Sequence, residues 1–419
     1  MRDNYNDALF PQSQPETVLQ RKEHLTFKGN RSRGRHGWLR LTPAYSLHLV
    51  QDLVGNLSEA DFVLDPFCGT GTTALACSQH KIACDTVDVN PFLIWLATAK
   101  CAPYSDAEIR RVQAFAERLA SGELDGSRAW APPIQDIHKW WSEPTLLALS
   151  GLFAQIAQES NARSRDLLHI SFCRAAIETA AVSFGHQSMS FRSVDSQPTL
   201  FSEQASDRVL RHFTCAVTEI AQSATETPCG AVKAVLGDSR NLAQILPLER
   251  YTAVITSPPY PNRMSYIREL RPYMYWLGHL NDGRQAGELD WKAIGGTWGC
   301  ATSLVAKWKP DASIEIPWRG FHACVNAIKE HSDLLGRYVH KYFEDAVRHA
   351  HSLMRVLASG ARVHYVVGNS KFYDVVLPTE EIYASLFSAL GMSGISIERI
   401  RKRTSKKELF EFVVHAKKK

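Results

Sequence analysis

Asp61-Phe62-Val63-Leu64-Asp65-Pro66-Phe67-Cys68-Gly69-Thr70-Gly71-Thr72-Thr73 runs from a short apolar stretch, through a glycine-rich turn, into residues with helical periodicity from Thr72 to His80. That is the pattern of strand, tight turn and helix. Gly69 and Gly71 lack the Cβ that would hold a ligand away from the backbone, and both tolerate positive φ. The amides that open the following helix face whatever is seated there. Ile82 to Val87 reads as a second strand ending at Asp88, and Asn90-Pro91 opens a helix to about Lys100. Two strands with a helix between them make a parallel βαβ unit, so the expected fold class is α/β with a doubly wound sheet.

The turn narrows the ligand without fixing it. A phosphate-binding P-loop needs a lysine after the second glycine, and Thr72 follows Gly71. A dinucleotide fingerprint fits the spacing of Gly69, Gly71 and Ala74, with Asp88 as ribose carboxylate. Against it stands Asp65, which would repel a pyrophosphate but could accept hydrogen bonds from an α-ammonium group. Asp88 reads as a ribose-hydroxyl acceptor or as a cap for the helix opening at Pro91. Asp238, in Leu236-Gly237-Asp238-Ser239-Arg240, reads as an acceptor for an adenine amino group or as a turn residue.

Outward from this unit, Ala44 to Val54 has helical spacing, with Thr42 as N-cap and Pro43 in the first turn. Residues 105–228 carry amphipathic helices (Ser105 to Ala120, Ser142 to Glu159, Ser164 to Val182, Ser206 to Ser223) and no convincing strand. The polar stretch Gly185 to Gln204 is a loop long enough to suggest a role. Strand-like runs resume at Ala231 to Leu236 and at Ala253 to Thr256. Leu334 to Ala358 is a long helix and Ala361 to Val367 a strand. Ile395 to Ile400 and Leu409 to His415 form an antiparallel pair across a basic turn. The expected organisation is a basic arm at 1–35, a catalytic domain at 36–104 and 229–419, and a large helical insertion at 105–228.

The second deciding motif, Thr256-Ser257-Pro258-Pro259-Tyr260, ends an apolar strand and so lies at the carboxyl edge of the sheet, where ligands of such folds bind. Two prolines fix the backbone and remove its donors, which leaves the Ser257 and Pro258 carbonyls as acceptors. The exocyclic amine of a nucleobase is a poor nucleophile because its lone pair is delocalised into the ring. Acceptors aimed at both N–H bonds favour a pyramidal nitrogen, and Tyr260 supplies a face for stacking the base. With this loop in the same sheet, the dinucleotide reading loses its footing.

Composition bounds the rest. The chain of 419 residues, 45% hydrophobic and 22% charged, has the usage of a globular protein. Its net charge of +5 permits a polyanionic partner without demanding one. Basic runs lie at Arg21 to Arg40, at Lys307 to Arg319 and at Arg399 to Lys407. The nine cysteines form no C-x-x-C pair, so neither a disulfide framework nor a metal site is expected. No apolar leader or membrane-length stretch is read, and the expected location is the cytoplasm.

Together the two motifs resemble the S-adenosylmethionine-dependent amino-methyltransferases of DNA, which act on cytosine N4 or adenine N6. A loop of the form S-P-P-Y is characteristic of the cytosine-N4 enzymes. The resemblance implies a Rossmann-like methyltransferase sheet closed by the C-terminal antiparallel pair. It assigns Asp65, Phe67, Cys68, Gly69, Gly71, Thr72, Asp88, Asp238 and Ser257 to the cofactor, and Ser257, Pro258, Pro259 and Tyr260 to catalysis. Trp38 to Val54 takes the place of the segment closing over the methionine end. It covers roughly 36–104 and 231–415 and not the insertion. Target recognition then falls to 105–228, where Arg192 lies, or to 261–330, which is rich in Trp, Arg and Lys. Arg263, Arg268, Trp308 and Arg319 are the DNA-binding candidates there, with aromatic core packing as the alternative. The implied partners are double-stranded DNA, whose target base is flipped out, and a separately encoded restriction endonuclease. A monomer suffices for the transfer. Adenine N6 and, more distantly, guanine N2 of RNA are the rival substrates. Cys68 lies outside the base-binding loop and is read as packing rather than as a nucleophile.

Overall fold

The computed structural model describes residues 27–30, 33–39, 41, 45–122, 130–183, 190–191, 204–262, 265–296, 300–403 and 408–419. Most of the expected basic arm and of the stretch Gly185 to Gln204 lies outside them. The seven-stranded sheet contains β1 (Phe62–Asp65), β2 (Ala83–Asp88), β3 (Val232–Leu236), β4 (Tyr251–Thr256), β5 (Leu357–Gly368), β6 (Ser393–Lys402) and β7 (Phe410–Lys417). The order across the sheet is β3-β2-β1-β4-β5-β7-β6. Strands β1 to β5 pair in parallel, and β7 is antiparallel to both neighbours. This is the doubly wound, Rossmann-like α/β fold. The order reverses between β1 and β4, and the loops leaving that pair of strands flank the crevice where such sheets take ligands.

Alternation along the strands explains the layers. Leu64, Val87, Val254, Val363 and Tyr365 point to one face and pack against α9 (Asp333–Val356) and α10 (Thr379–Ala389). Val63, Cys84, Ala253 and Ile255 point to the other, beneath α1 (Leu47–Val54) and α2 (Thr72–Gln79). Helix α1 begins later than its sequence pattern indicates: Ser46 caps it, its hydroxyl accepting from the Leu49 amide, while Thr42 and Pro43 lie outside the described residues.

The helices of the insertion, α4 (Asp106–Ala120), α5 (Glu143–Ile156), α6 (Ala162–Glu178) and α7 (Ala205–Ala224), fall close to their expected spans. A two-residue hairpin, Val182–Ser183 with Ser190–Phe191, is a strand pairing within this stretch that the sequence did not show. These helices share one continuous apolar core with α3 (Pro91–Cys101) and with α8 (Tyr266–Trp276), the helix that follows the Ser257-Pro258-Pro259-Tyr260 loop.

A single buried cation joins these parts. Arg35, expected at the end of a solvated arm, is 0% exposed. Its guanidinium donates to the Lys100 and Ala102 carbonyls, at 2.9 and 2.6 Å, at the end of α3. It also donates to Ser223 and Ala224 at 3.3 and 2.7 Å, and to Glu226, at the end of α7. Carbonyls at two helix C-termini, which carry partial negative charge, thus take the place of a carboxylate. Trp38 and Tyr104 lie 5.4 and 5.3 Å from the guanidinium carbon.

Replacing Arg35 by Met should cost about 3 kcal/mol or more, because each buried carbonyl left without a donor costs ~1–3 kcal/mol. Urea unfolding measures this. Arg33→Met, at an exposed position, should change stability by less than about 0.5 kcal/mol.

Candidate functional site

The two loops named by the sequence leave adjacent strands and are tied at their roots. Asp65, the last residue of β1, is 0% exposed. Its Oδ1 accepts from the Thr256 hydroxyl at 2.6 Å and from the Phe67 amide at 3.1 Å. Its Oδ2 is buried and makes no hydrogen bond of sound geometry among the described residues. Burial pushes this carboxyl up to about 7, against which the Thr256 and Phe67 hydrogen bonds act.

Gly69 and Gly71 both have positive φ, 50° and 74°, but their missing Cβ atoms serve different ends. At Gly69 a Cβ would meet nothing closer than the Phe67 carbonyl at 3.8 Å, so the backbone there borders open space. At Gly71 it would collide with the Ala97 Cβ at 2.9 Å, so this glycine lets α2 approach α3. The loop is latched to the end of β2. The Gly69 amide donates to Asp88 Oδ2 at 3.0 Å and the Cys68 amide to the Val87 carbonyl at 2.8 Å. Burial also pushes Asp88 up to about 6. The cap of α3 is Asn90, whose side chain accepts from the Phe92 amide at 3.0 Å, and Asp88 Oδ1 accepts from the Asn90 amide at 2.9 Å.

Cys68 is 1% exposed, and burial raises its thiol well above the usual range, which disfavours the nucleophilic thiolate. The Thr72 hydroxyl lies 3.0 Å from that of Thr70, and the Thr70 carbonyl accepts from Lys100 Nζ at 3.0 Å. Burial pulls Lys100 down to about 8. Phe67 tilts onto His349, with ring centres 4.8 Å apart. His349 Nδ1 must donate to the Ser239 carbonyl at 3.0 Å, and burial pulls its pKa down to about 4, so the ring is neutral at pH 7. Its Nε2 therefore accepts from the Tyr365 hydroxyl at 2.6 Å.

Asp238 carries more than a turn. Arg240 grips both its oxygens, with Nε at 3.0 and 3.1 Å and Nη2 at 2.6 Å, and also pairs with Asp345 at 2.8 Å. Burial opposes its ionisation, but the Arg240 hydrogen bonds and charge hold the carboxyl below its ordinary range.

In the second loop the Ser257 hydroxyl donates to the Val366 carbonyl at 3.0 Å. Pro258 is buried, and the Pro259 carbonyl accepts from Tyr342 Oη at 2.6 Å. Tyr260 donates to Glu411 Oε1 at 2.9 Å, and Arg403 lies over its ring at 4.7 Å. The sequence singled out neither Glu411 nor the role of Arg403, because both reach the loop only through the pairing of β5, β6 and β7.

Of the DNA-binding candidates, Arg268, Trp308 and Arg319 lie within the described residues. Arg268, in the first turn of α8, has a buried Nε without a partner among the described residues. Trp308 is half-buried, edge-on to His340 at 5.7 Å, and Arg319 is exposed. Arg192 and Arg263 lie outside the described residues. Among the described residues no group of three or more His, Cys, Asp or Glu is placed to hold a metal, and no helix is long and apolar enough to cross a membrane.

Asp65 and Asp88 titrate near 7 and 6 in the folded chain, against an ordinary value of 3.8. The folded chain therefore binds more protons than the unfolded one between about pH 4 and 7. Their contribution to stability is full below that window and is lost as pH rises through it. Histidines that burial keeps neutral, such as His349, act in the opposite sense, so urea unfolding is read as the difference between Asp65→Asn and the unaltered chain. That difference should grow in favour of Asp65→Asn from pH 5 to 8 and reach on the order of 1–2 kcal/mol, since each tenfold change in a carboxyl's proton affinity is worth ~1.4 kcal/mol.

No family model matches the chain. It is 33% identical over 78 residues to the Type II methyltransferase M.BsoBI of Geobacillus stearothermophilus, which is 18% of this chain and 15% of that protein. It is 35% identical over 69 residues to the Type II methyltransferase M.AvaI of Nostoc sp. (strain PCC 7120), 16% of this chain and 14% of that one. The matches thus span about a seventh of the relatives' length. Among solved structures it aligns with the rRNA methyltransferase aviRa from Streptomyces viridochromogenes at 12% identity, over 90% of this chain and 86% of that one. The TM-score of 0.27 carries no argument. Over these short segments, the proteins that the chain is similar to are methyltransferases.

Proposed function

We propose that the chain is an S-adenosylmethionine-dependent DNA methyltransferase acting on an exocyclic amino group, cytosine N4 in particular, in duplex DNA. The observation that carries this is the apposition of the two loops at the switch point of the sheet, joined by the Thr256 to Asp65 hydrogen bond of 2.6 Å. The partial likeness to Type II methyltransferases supports the reaction class and a modification role beside a restriction endonuclease.

The residues present fit the cofactor. Asp65 Oδ2, a buried carboxylate oxygen with no hydrogen-bond partner among the described residues, suits an α-ammonium group. The open backbone at Gly69 gives close approach, and Asp88 at the end of β2 keeps lone pairs for ribose hydroxyls. Asp238 reaches an adenine amino group only with lone pairs that Arg240 does not use. When bound, S-adenosylmethionine supplies an electrophilic sulfonium methyl.

The chain's own residues do the rest. Ser257 and the Pro258 carbonyl accept from the amino group of a base turned out of the stack, which localises the nitrogen lone pair toward the methyl. Tyr260 supports the ring. The proton lost on transfer passes to solvent, so the reaction calls for no metal and no covalent enzyme intermediate. Ser257 favours cytosine N4 over adenine N6 by resemblance of its loop alone.

The deciding test incubates the protein with methyl-labelled S-adenosylmethionine and unmethylated DNA, then digests to nucleosides. Label in N4-methylcytosine is expected. Label in N6-methyladenine overturns the choice of base, and label only in RNA, or nowhere, overturns the function. Asp65→Asn should weaken S-adenosylhomocysteine binding, followed by calorimetry, by about tenfold or more, as expected for loss of a charge-assisted hydrogen bond. Ser257→Ala should lower kcat by on the order of a hundredfold.

A further inference from the structure

The basic run near the C-terminus has no part in the methyl transfer proposed above, yet the structure places each of its described arginines on a specific partner. Arg399 lies over Phe410 at 4.7 Å. Arg401 pairs with Glu411 through two contacts, Nε to Oε2 at 2.8 Å and Nη2 to Oε1 at 3.1 Å. Arg403 leaves the strand and crosses to the base-binding loop, its guanidinium 4.7 Å from the centre of the Tyr260 ring.

Three features make that arrangement built rather than incidental. Arg403 is held at both ends: its amide donates to the Leu409 carbonyl and its Nη1 to the Asn369 carbonyl, at 2.8 and 2.7 Å. Asn369 is itself 5% exposed and fixed by its own bonds to the Glu408 carbonyl and the Phe410 amide, at 2.8 and 2.9 Å. Gly368 leaves the room, since a Cβ there would stand 2.5 Å from Arg403 Nη1 and 2.9 Å from Tyr260 Cε2. The far end of the ring is pinned separately, by the hydroxyl's bond to Glu411 Oε1 at 2.9 Å, with Arg401 fixing that carboxylate.

We propose that Arg403, with the Glu411–Arg401 pair, is a positioning clamp for Tyr260. It sets the plane of the ring and confines base stacking to the side away from the guanidinium. The clamp rests on the function proposed above, since it needs a base at Tyr260. Two physical effects make it useful. A ring held on one face and at its hydroxyl has little freedom left to lose when a base arrives. A cation on the covered side also draws π density toward itself, which lessens repulsion between the ring and a base on the other side.

The test compares the full chain with Arg403→Met, Arg403→Lys, Tyr260→Ala and the double variant Arg403→Met with Tyr260→Ala. Methyl transfer to unmethylated bacteriophage DNA gives KM and kcat, and calorimetry gives the affinity for S-adenosylhomocysteine. Arg403→Met is expected to raise KM for DNA about tenfold, equivalent to ~1.4 kcal/mol, with cofactor affinity unchanged. Arg403→Lys should recover part of the loss. The double variant should be no worse than Tyr260→Ala alone, because a clamp acts only through what it holds. Arg399→Met, which removes the cation over Phe410, should match the unaltered chain.

Unaltered KM and kcat in Arg403→Met overturns the clamp, as does full additivity in the double variant. So does a parallel fall in cofactor affinity, which marks a general structural role. If Arg403→Met does not fold, Arg403→Lys with unaltered KM and kcat overturns it. An unaltered chain that transfers no methyl group to DNA overturns the underlying function and the clamp with it. Transfer by the unaltered chain and by Arg403→Met alike overturns the clamp alone.

Discussion

The guanidinium of Arg35 is the interaction on which the arrangement of the chain depends. It carries a full charge in a place with no exposure, and five carbonyls at the ends of two helices make that tolerable. One of those helices, α3, follows the first βαβ unit, and the other, α7, ends the helical stretch at 105–228. The same cation therefore fixes where the insertion sits on the sheet. Its influence extends further, because Lys100, whose carbonyl it holds, sends its own ammonium 3.0 Å from the Thr70 carbonyl in the glycine-rich loop. Buried donors that satisfy backbone acceptors cannot move independently, so loop, helix and insertion form one mechanical unit.

Within that unit the site is held in a state of unmet demand. Asp65 is buried deeply enough to resist ionisation near neutral pH, and among the described residues its Oδ2 has no hydrogen-bond partner. Asp88 is raised for the same reason, although two backbone amides already donate to it. Carboxylates placed this way weaken the empty fold and become stabilising when a cationic or hydroxyl-bearing ligand arrives. Asp238 is treated in the opposite way: its charge is met by Arg240, which also pairs with Asp345.

The C-terminal strand pair does more than complete the sheet. Its antiparallel register brings Glu411 opposite Gly368. Arg403, just past the end of β6, lies over the ring of Tyr260 in the loop after β4. Residues more than a hundred positions beyond Tyr260 thereby determine how its ring is presented. A basic run, which in isolation reads as a solvated surface, becomes a set of cations laid on aromatic rings and carboxylates.

How much of this was legible follows from how local each signal is. The strand, glycine turn and helix at 61–80, the strand ends at Asp65, Asp88 and Thr256, and the antiparallel close are written in neighbouring residues, since period, Gly and Pro act over a few positions. The sequence therefore determined the sheet class, the amphipathic helices of the insertion and the two loops that meet at the crevice. It did not disclose the helix α8, where Pro272 interrupts the pattern, nor the true start of α1. Only the tertiary structure decided that Gly71 serves helix packing while Gly69 faces open space, that Arg35 is a buried staple rather than part of an arm, and that Arg403 and Glu411 belong to Tyr260. Each of those is a contact between residues far apart in the chain. Its energy depends on desolvation and on partners that no local pattern records.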